Sequence, residues 1–318
     1  MGKRMWAGSP GSVWGRLWGV VLTVGLVQVA AAAELTFGGD ERVLVVAPHP
    51  DDETIATGGV IRHLTTTKLP VYVVFLTYGD GWDWAVRLAN GGRPPTDADY
   101  VAFGRRRHQE ATNAAGALEL PLNALFFLGF PDDGMAALWD RGWTGKPVPS
   151  PHTGAQMVPY SDALAAGAPY TGEAVVQSLV RVLRVVRPSM IFVPHPADAN
   201  PDHAIAPRFV AAALAALRGQ HILPAKVHRF TYLVHHADWP ASDALPGPMV
   251  APTPGQIPAT RWLQWPLSEA EQAAKARALE QYPSQLAASP ALLRNFLRST
   301  ELFGRLQSKV WAAFAHAH

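Results

Sequence analysis

The chain has 318 residues, with 27 Lys plus Arg against 25 Asp plus Glu, and no Cys. Without Cys it is not a zinc ribbon, an iron–sulfur protein, a thiol enzyme or a disulfide scaffold. An apolar share of 48 % beside 16 % charge excludes a disordered chain, and a formal charge of +2 leaves no broad basic surface for nucleic acid.

Residues 1–33 read as an export segment. Lys3, Arg4 and Arg16 precede an uncharged run from Leu17 to Ala33 that ends Ala31-Ala32-Ala33, a small-residue cleavage pattern. The run is short for a spanning helix, which needs about 20 residues. The expectation is a signal peptide cleaved after Ala33, with an uncleaved anchor as the alternative. The protein would then be periplasmic or extracellular, touching a membrane only through this segment. Removing its three positive charges turns +2 into −1.

Residues 34–318 are expected to form a single domain. Arg42–Ala47 is a continuous apolar strand pattern, followed by a helix over Glu53–Leu64. Val71–Thr77 is a second strand, Gly104–Leu118 a helix and Ala124–Leu128 a third strand. Gly172–Val186 has helical spacing and stops before Arg187-Pro188. Met190–Val193 is a fourth strand, Ala204–Leu217 an Ala-rich helix and Phe230–His235 a fifth strand. Apolar strands alternating with helices predict an α/β, doubly wound, mainly parallel sheet with helices on both faces. Pro131–Thr171 and Asp238–Pro266 read as long Pro/Gly-rich loops carrying Trp residues suited to stacking on sugars or to packing. Leu267–Leu279 and Ala291–Phe314 read as two helices.

In such a sheet, working residues collect at the carboxyl ends of the strands. The first strand runs into Pro48-His49-Pro50-Asp51-Asp52-Glu53. The fourth runs into His195, Asp198, Asn200, Asp202 and His203. Imidazole and carboxylate are donors that zinc and other divalent cations accept. Two such loops at two strand ends predict a metal site. On local grounds Asp51 or Asp52 also suits the N-cap of the helix that follows.

These residues carry a resemblance. His49-Pro50-Asp51-Asp52-Glu53, with Asn200-Pro201-Asp202-His203 downstream, is similar to the PIG-L/LmbE family of zinc-dependent N-acetylglucosamine deacetylases. Leu76–Gly81, Arg107–Glu110, Phe127–Gly134 and the Lys275…Tyr282-Pro283-Ser284-Gln285 segment extend the resemblance, in order, from about Arg42 to Gln285. It implies a Rossmann-like fold and an N-deacetylase acting on an amino-sugar glycan or small molecule. It implies His49, Asp52 and His203 as ligands of Zn2+, or of another divalent metal, and Asp51 as general base. Asp202 would orient His203 or a neighbour. Asp80, Arg107 and Gln285 are candidate substrate contacts, although Arg107 and Glu110 also have the spacing of a surface pair. Asn200 stands where many members carry His. It can donate a hydrogen bond to an oxyanion but cannot change protonation near neutral pH: either Asn200 acts only as a donor, or His195 or another group supplies the proton, or the enzyme is slow, and a non-catalytic carbohydrate-binding relative is the alternative. His63 and the Glu269, Glu271, Lys275 face read as solvated helix surface, and His235 and His236 as a strand end.

Overall fold

The computed structural model describes residues 1–2, 33–237, 239–240, 247–253, 255–257 and 260–315. The expected export segment lies outside these residues except at its ends. Residues 32–318 form one compact unit. Among the described residues no helix is long and apolar enough to cross a membrane.

One eight-stranded sheet organises this unit. Its strands are β1 (Ala33–Glu34), β2 (Val43–Ala47), β3 (Val71–Thr77), β4 (Leu125–Phe130), β5 (Met190–Pro194), β6 (His228–Tyr232), β7 (Thr260–Pro266) and β8 (Thr300–Leu306). The spatial order is β1-β7-β8-β6-β5-β2-β3-β4. From β6 to β4 the neighbours run parallel. Every residue of β2 and β5 is buried, as expected of strands covered on both faces. The helices that cover them include α1 (Asp52–Thr66), α3 (Asp97–Ala117), α5 (Gly172–Val186) and α6 (Pro201–Ala216). The doubly wound α/β expectation therefore holds for the core. Thr171 caps α5 by accepting from the Ala174 N–H, and Val175, Leu179, Val182, Leu183 and Val186 bury its apolar stripe.

The C-terminal third departs from the sequence reading. Residues 291–314 are expected to be one helix. They form instead the end of α9 (Pro290–Arg294), strand β8 and most of α10 (Ser308–Ala315). β8 pairs antiparallel with both β6 and β7, and β7 is drawn from the segment read as loop. Neither strand announces itself locally, because their register is fixed by each other. Trp262 and Trp265 thus stand in β7. Trp265 packs edge-on to Phe37, and Trp262 stacks on His195. The other expected loop, Pro131–Thr171, holds α4 (Met135–Asp140), where Trp139 is buried against Phe209. Packing accounts for these indoles; among the described residues it is Trp82, just before α2 (Asp83–Ala89), whose indole lines the cavity over the carboxyl ends of the strands.

The topology places the site. β2 and β5 are adjacent and parallel, and the chain leaves them toward opposite flanks of the sheet, so the crevice at their carboxyl ends is the switch point of the fold.

Candidate metal centre

His49 follows β2 by two residues, and α1 begins at Asp52. The turn between them is strained: Asp51 has φ 125° and ψ −30°, a region costly for a side-chain-bearing residue, of order 1–3 kcal/mol. Several bonds hold it. The Asp51 N–H donates to Glu53 Oε2, and the Asp51 carbonyl accepts from the Thr54 and Ile55 N–H groups. Arg107 Nη2 donates to the Pro50 carbonyl. Asp51 occupies the N-cap position, yet its carboxylate makes no capping bond. That carboxylate faces Arg107 Nη2 at 3.3 Å.

Three donor atoms converge. Asp52 Oδ2 lies 3.3 Å from His49 Nδ1 and 3.1 Å from His203 Nε2, and the two ring nitrogens are 3.1 Å apart. Donors 2.0–2.2 Å from a tetrahedral zinc stand about 3.4 Å from one another, so the triangle has the size of one metal-binding face. The His49 N–H fixes Asp52 by donating to Oδ2 at 2.9 Å. The far ring nitrogens meet carboxylates: His49 Nε2 is 3.0 Å from Asp132 Oδ1, and His203 Nδ1 is 3.4 Å from Asp198 Oδ2. Such pairs select the tautomer whose lone pair faces a metal. The buried residues present therefore fit a divalent cation.

Electrostatics agree. Burial pulls His203 down, but Asp52 and Asp198 outweigh it and raise it to about 10. His49 is likewise lifted against burial, chiefly by Asp132. Burial opposes the charge on Asp52, but the two imidazoles overcome it and hold Asp52 well below the usual carboxylate range. A field that draws protons onto buried imidazoles also favours a cation placed between them. Asp51 differs: burial raises it to about 7, with Arg107 opposing and Asp52 adding.

A cavity of about 330 Å³ opens over this cluster, lined among others by His49, Asp51, Asp52, Arg107, Asn200 and Gln285. His203 lies behind them, fully buried. Asn200 is the N-cap of α6. Its Oδ1 accepts from the Asp202 N–H at 2.8 Å and the His203 N–H at 3.4 Å, which commits the oxygen and leaves the amide NH2 as the free donor. Arg107 does not pair with Glu110. It donates to the Gly79 and Pro50 carbonyls, while Glu110 holds the Ser284 hydroxyl and N–H at the start of α8 (Pro283–Ala288).

Other expectations are redistributed. Asp80 lies outside the cavity lining, buried, accepting from the Tyr160 hydroxyl. Asp202 braces a turn by accepting from the Asp133 and Met135 N–H groups, and stands 3.6 Å from His49 Nε2. Asp198, not Asp202, flanks His203. His195 turns away from the cavity: Nδ1 accepts from the Ala197 N–H, and Nε2 lies 2.9 Å from Thr260 Oγ1. Lys275 is buried against Glu301 at 2.7 Å, not solvated. His63 is only partly buried and meets Glu271 at 2.9 Å. Asp132 and His235 have site positions to which the sequence reading attaches no role, and Asp198, read only as part of the second polar loop, is the carboxylate that faces His203. The available signal was their placement just past the ends of β4, β5 and β6.

The sequence profile of PIG-L, described as GlcNAc-PI de-N-acetylase, matches residues 44–214, more than half of the chain. A 1D-myo-inositol 2-acetamido-2-deoxy-alpha-D-glucopyranoside deacetylase of Nocardia farcinica is 32 % identical over 227 residues, covering 68 % of this chain and 65 % of that protein. The enzyme of the same name from Rhodococcus opacus is 31 % identical over 187 residues, covering 56 % and 54 %. The chain thus spans between half and two thirds of the length of these two relatives. Among solved structures, N,N'-diacetylchitobiose deacetylase from Pyrococcus horikoshii superposes with a TM-score of 0.50 at 18 % identity, covering 86 % of each chain. The zinc-inhibited form of teicoplanin deacetylase also gives 0.50, at 16 % identity, covering 83 % of this chain and 97 % of that one. At these identities the two structures establish the fold.

Proposed function

The chain belongs to the PIG-L family, and from that premise we propose that it is an exported, zinc-dependent hydrolase removing acetyl from an N-acetylated amino sugar. The observation that carries this reading is the His49, Asp52, His203 triangle with the Asp51 carboxylate beside it at the cavity wall. Zinc bound there would polarise the acetamide carbonyl and acidify a water. Asp51 takes the proton from the attacking water as its oxygen bonds to the acyl carbon. It returns that proton to the nitrogen as the C–N bond breaks, leaving acetic acid and a free amine, which become acetate and ammonium when the acid's proton passes to the amine. A carboxylate raised to about 7 is matched to both halves of that task. Arg107 holds Asp51 in place, and the Asn200 NH2 supplies a donor toward the acyl oxygen. Export rests on Lys3, Arg4, Arg16 and the apolar run that follows, and sets the substrate among glycans or glycoconjugates outside the cytoplasm.

The test is acetate release from N-acetylglucosamine-type substrates by the zinc-loaded protein. Asp51→Asn should abolish it while retaining zinc; an Asn variant as active as the parent overturns the mechanism. A panel of other amides and esters separates deacetylation from a different metal-dependent hydrolysis. Asn200 favours a second reading, a carbohydrate-binding relative without turnover, which predicts glycan binding and no acetate.

A further inference from the structure

His235 lies three residues beyond β6 and lines the same cavity as Asn200, His49 and Asp51. Its main chain is anchored on both sides. The His235 N–H donates to Asp198 Oδ2 at 3.1 Å, and its carbonyl accepts from the Ala199 N–H at 2.6 Å. The same Asp198 oxygen faces His203 Nδ1, so one carboxylate positions both histidines. The His235 ring meets the His203 ring edge to face, with centroids 4.9 Å apart. Among the described residues neither ring nitrogen of His235 has a hydrogen-bond partner, whereas both nitrogens of His195 are engaged.

An uncommitted imidazole held this firmly in the cavity wall is placed to meet a ligand. The Arg107 Nη groups meet two carbonyls and Asp51, and the Gln285 NH2 donates to Ser284 Oγ. The His235 ring, packed on His203, and the Asn200 NH2, at the N-cap of the helix that carries His203, stand beside the metal triangle.

We infer that His235 is a catalytic residue whose ring N–H, together with the Asn200 NH2, donates a hydrogen bond to the substrate's acyl oxygen. This inference rests on the amide-hydrolase reading. An acyl oxygen gains negative charge when its carbon is attacked, and a preset donor strengthens its bond at that moment. The role requires only a neutral N–H, and no proton is transferred from the ring. It also divides the labour: Asn200 keeps its oxygen on the α6 cap and cannot reorient to meet the substrate without losing that cap, so a second donor completes the pair.

The experiment compares the zinc-loaded parent with His235→Phe, which keeps the ring and removes the donor, and His235→Gln, which restores one. Three quantities are read: zinc content, the Kd for acetate by calorimetry, and kcat and KM on an N-acetylated amino sugar. His235→Phe should bind a full equivalent of zinc, bind acetate about tenfold more weakly and lose about 100-fold in kcat with a smaller change in KM. His235→Gln should recover most of both losses. Unchanged acetate affinity in His235→Phe overturns the proposal, as does failure of His235→Gln to recover any of the loss. A parent that releases no acetate from any amide sinks the hydrolase reading. The acetate affinities would still decide whether His235 contacts an acyl oxygen.

Discussion

The Arg107 guanidinium and the Asp51 carboxylate meet at 3.3 Å in the wall of the cavity, both buried. Arg107 comes from the middle of α3, and Asp51 from the turn after β2. The contact therefore ties a distant helix to the most strained residue of the site. Arg107 lowers the Asp51 pKa against the effect of burial. Removing it should raise that pKa further and lower the ionised fraction at neutral pH. Arg107→Met is expected to retain zinc, to lose about 100-fold in acetate release near pH 7 and to recover part of it as pH rises. A pH–rate profile of unchanged shape would disprove the link. Gly79→Ala should produce a weaker version of the same defect. Gly79 has φ 67°, and a Cβ there would run into Arg107 Nη1.

The metal triangle makes a separate prediction. Asp52, Asp132, Asp198 and Asp202 surround two imidazoles in the interior, an arrangement that a cation stabilises and its removal does not. Chelation should lower Tm, and added zinc should restore it. Saturation at about 100 times Kd corresponds to about 2.7 kcal/mol. His203→Ala should abolish both the zinc equivalent and the zinc-dependent rise in Tm. Mass-spectrometric metal analysis showing a full equivalent on His203→Ala would remove the site assignment.

The parallel core and the meeting of two polar loops were legible in the sequence for the same reason, while the choice of His49, Asp52 and His203 came from the family resemblance. Strands buried on both faces read as unbroken apolar runs, and β2 and β5 each deliver a polar loop at the carboxyl end. What was not legible depends on partners far away in the chain. Lys275 sits at a spacing that looks solvated, because nothing nearby reveals that Glu301 lies against it. β7 and β8 define each other's register, so Thr300–Leu306 passes for part of a helix when read alone. Asp198 and Asp202 have similar local surroundings, and only the fold decides that the former flanks His203 while the latter braces the turn before α4. Asn200, read in the sequence only as a donor to an oxyanion, also caps α6 ahead of Pro201, and capping leaves its NH2 as the free group.

The Lys275–Glu301 pair supports the site from behind. Lys275 is on α7 (Glu269–Leu279), and Glu301 is in β8. Glu301 also accepts from the Gly59 and Val60 N–H groups of α1, the helix that begins at the Asp51–Asp52 turn. Lys275→Met would leave that carboxylate buried without its counter-charge. Breaking one side of such a pair costs about 3–5 kcal/mol. Urea unfolding should show a loss of that order, and one below about 1 kcal/mol would mean the pair is structurally idle.

His195 gives the fold a pH signature distinct from catalysis. Its Nδ1 accepts from the Ala197 N–H, so the ring is neutral with its proton on Nε2, facing Thr260. Burial lowers its pKa from 6.5 to about 4, with Asp198 opposing. Between those values the unfolded chain holds a proton that the folded chain refuses. The contribution is therefore complete above pH 6.5 and drains away as pH falls toward 4. The shift corresponds to about 3 kcal/mol. Burial lowers His235 in the same direction, so the measurement must be differential. Unfolding free energies of the parent and of His195→Asn, compared at about pH 7 and about pH 4.5, isolate the term. The parent should lose more stability on acidification than the variant, by roughly 2–3 kcal/mol. Parallel losses in the two proteins would show that His195 titrates alike in the folded and unfolded chains, and that burial does not keep it neutral.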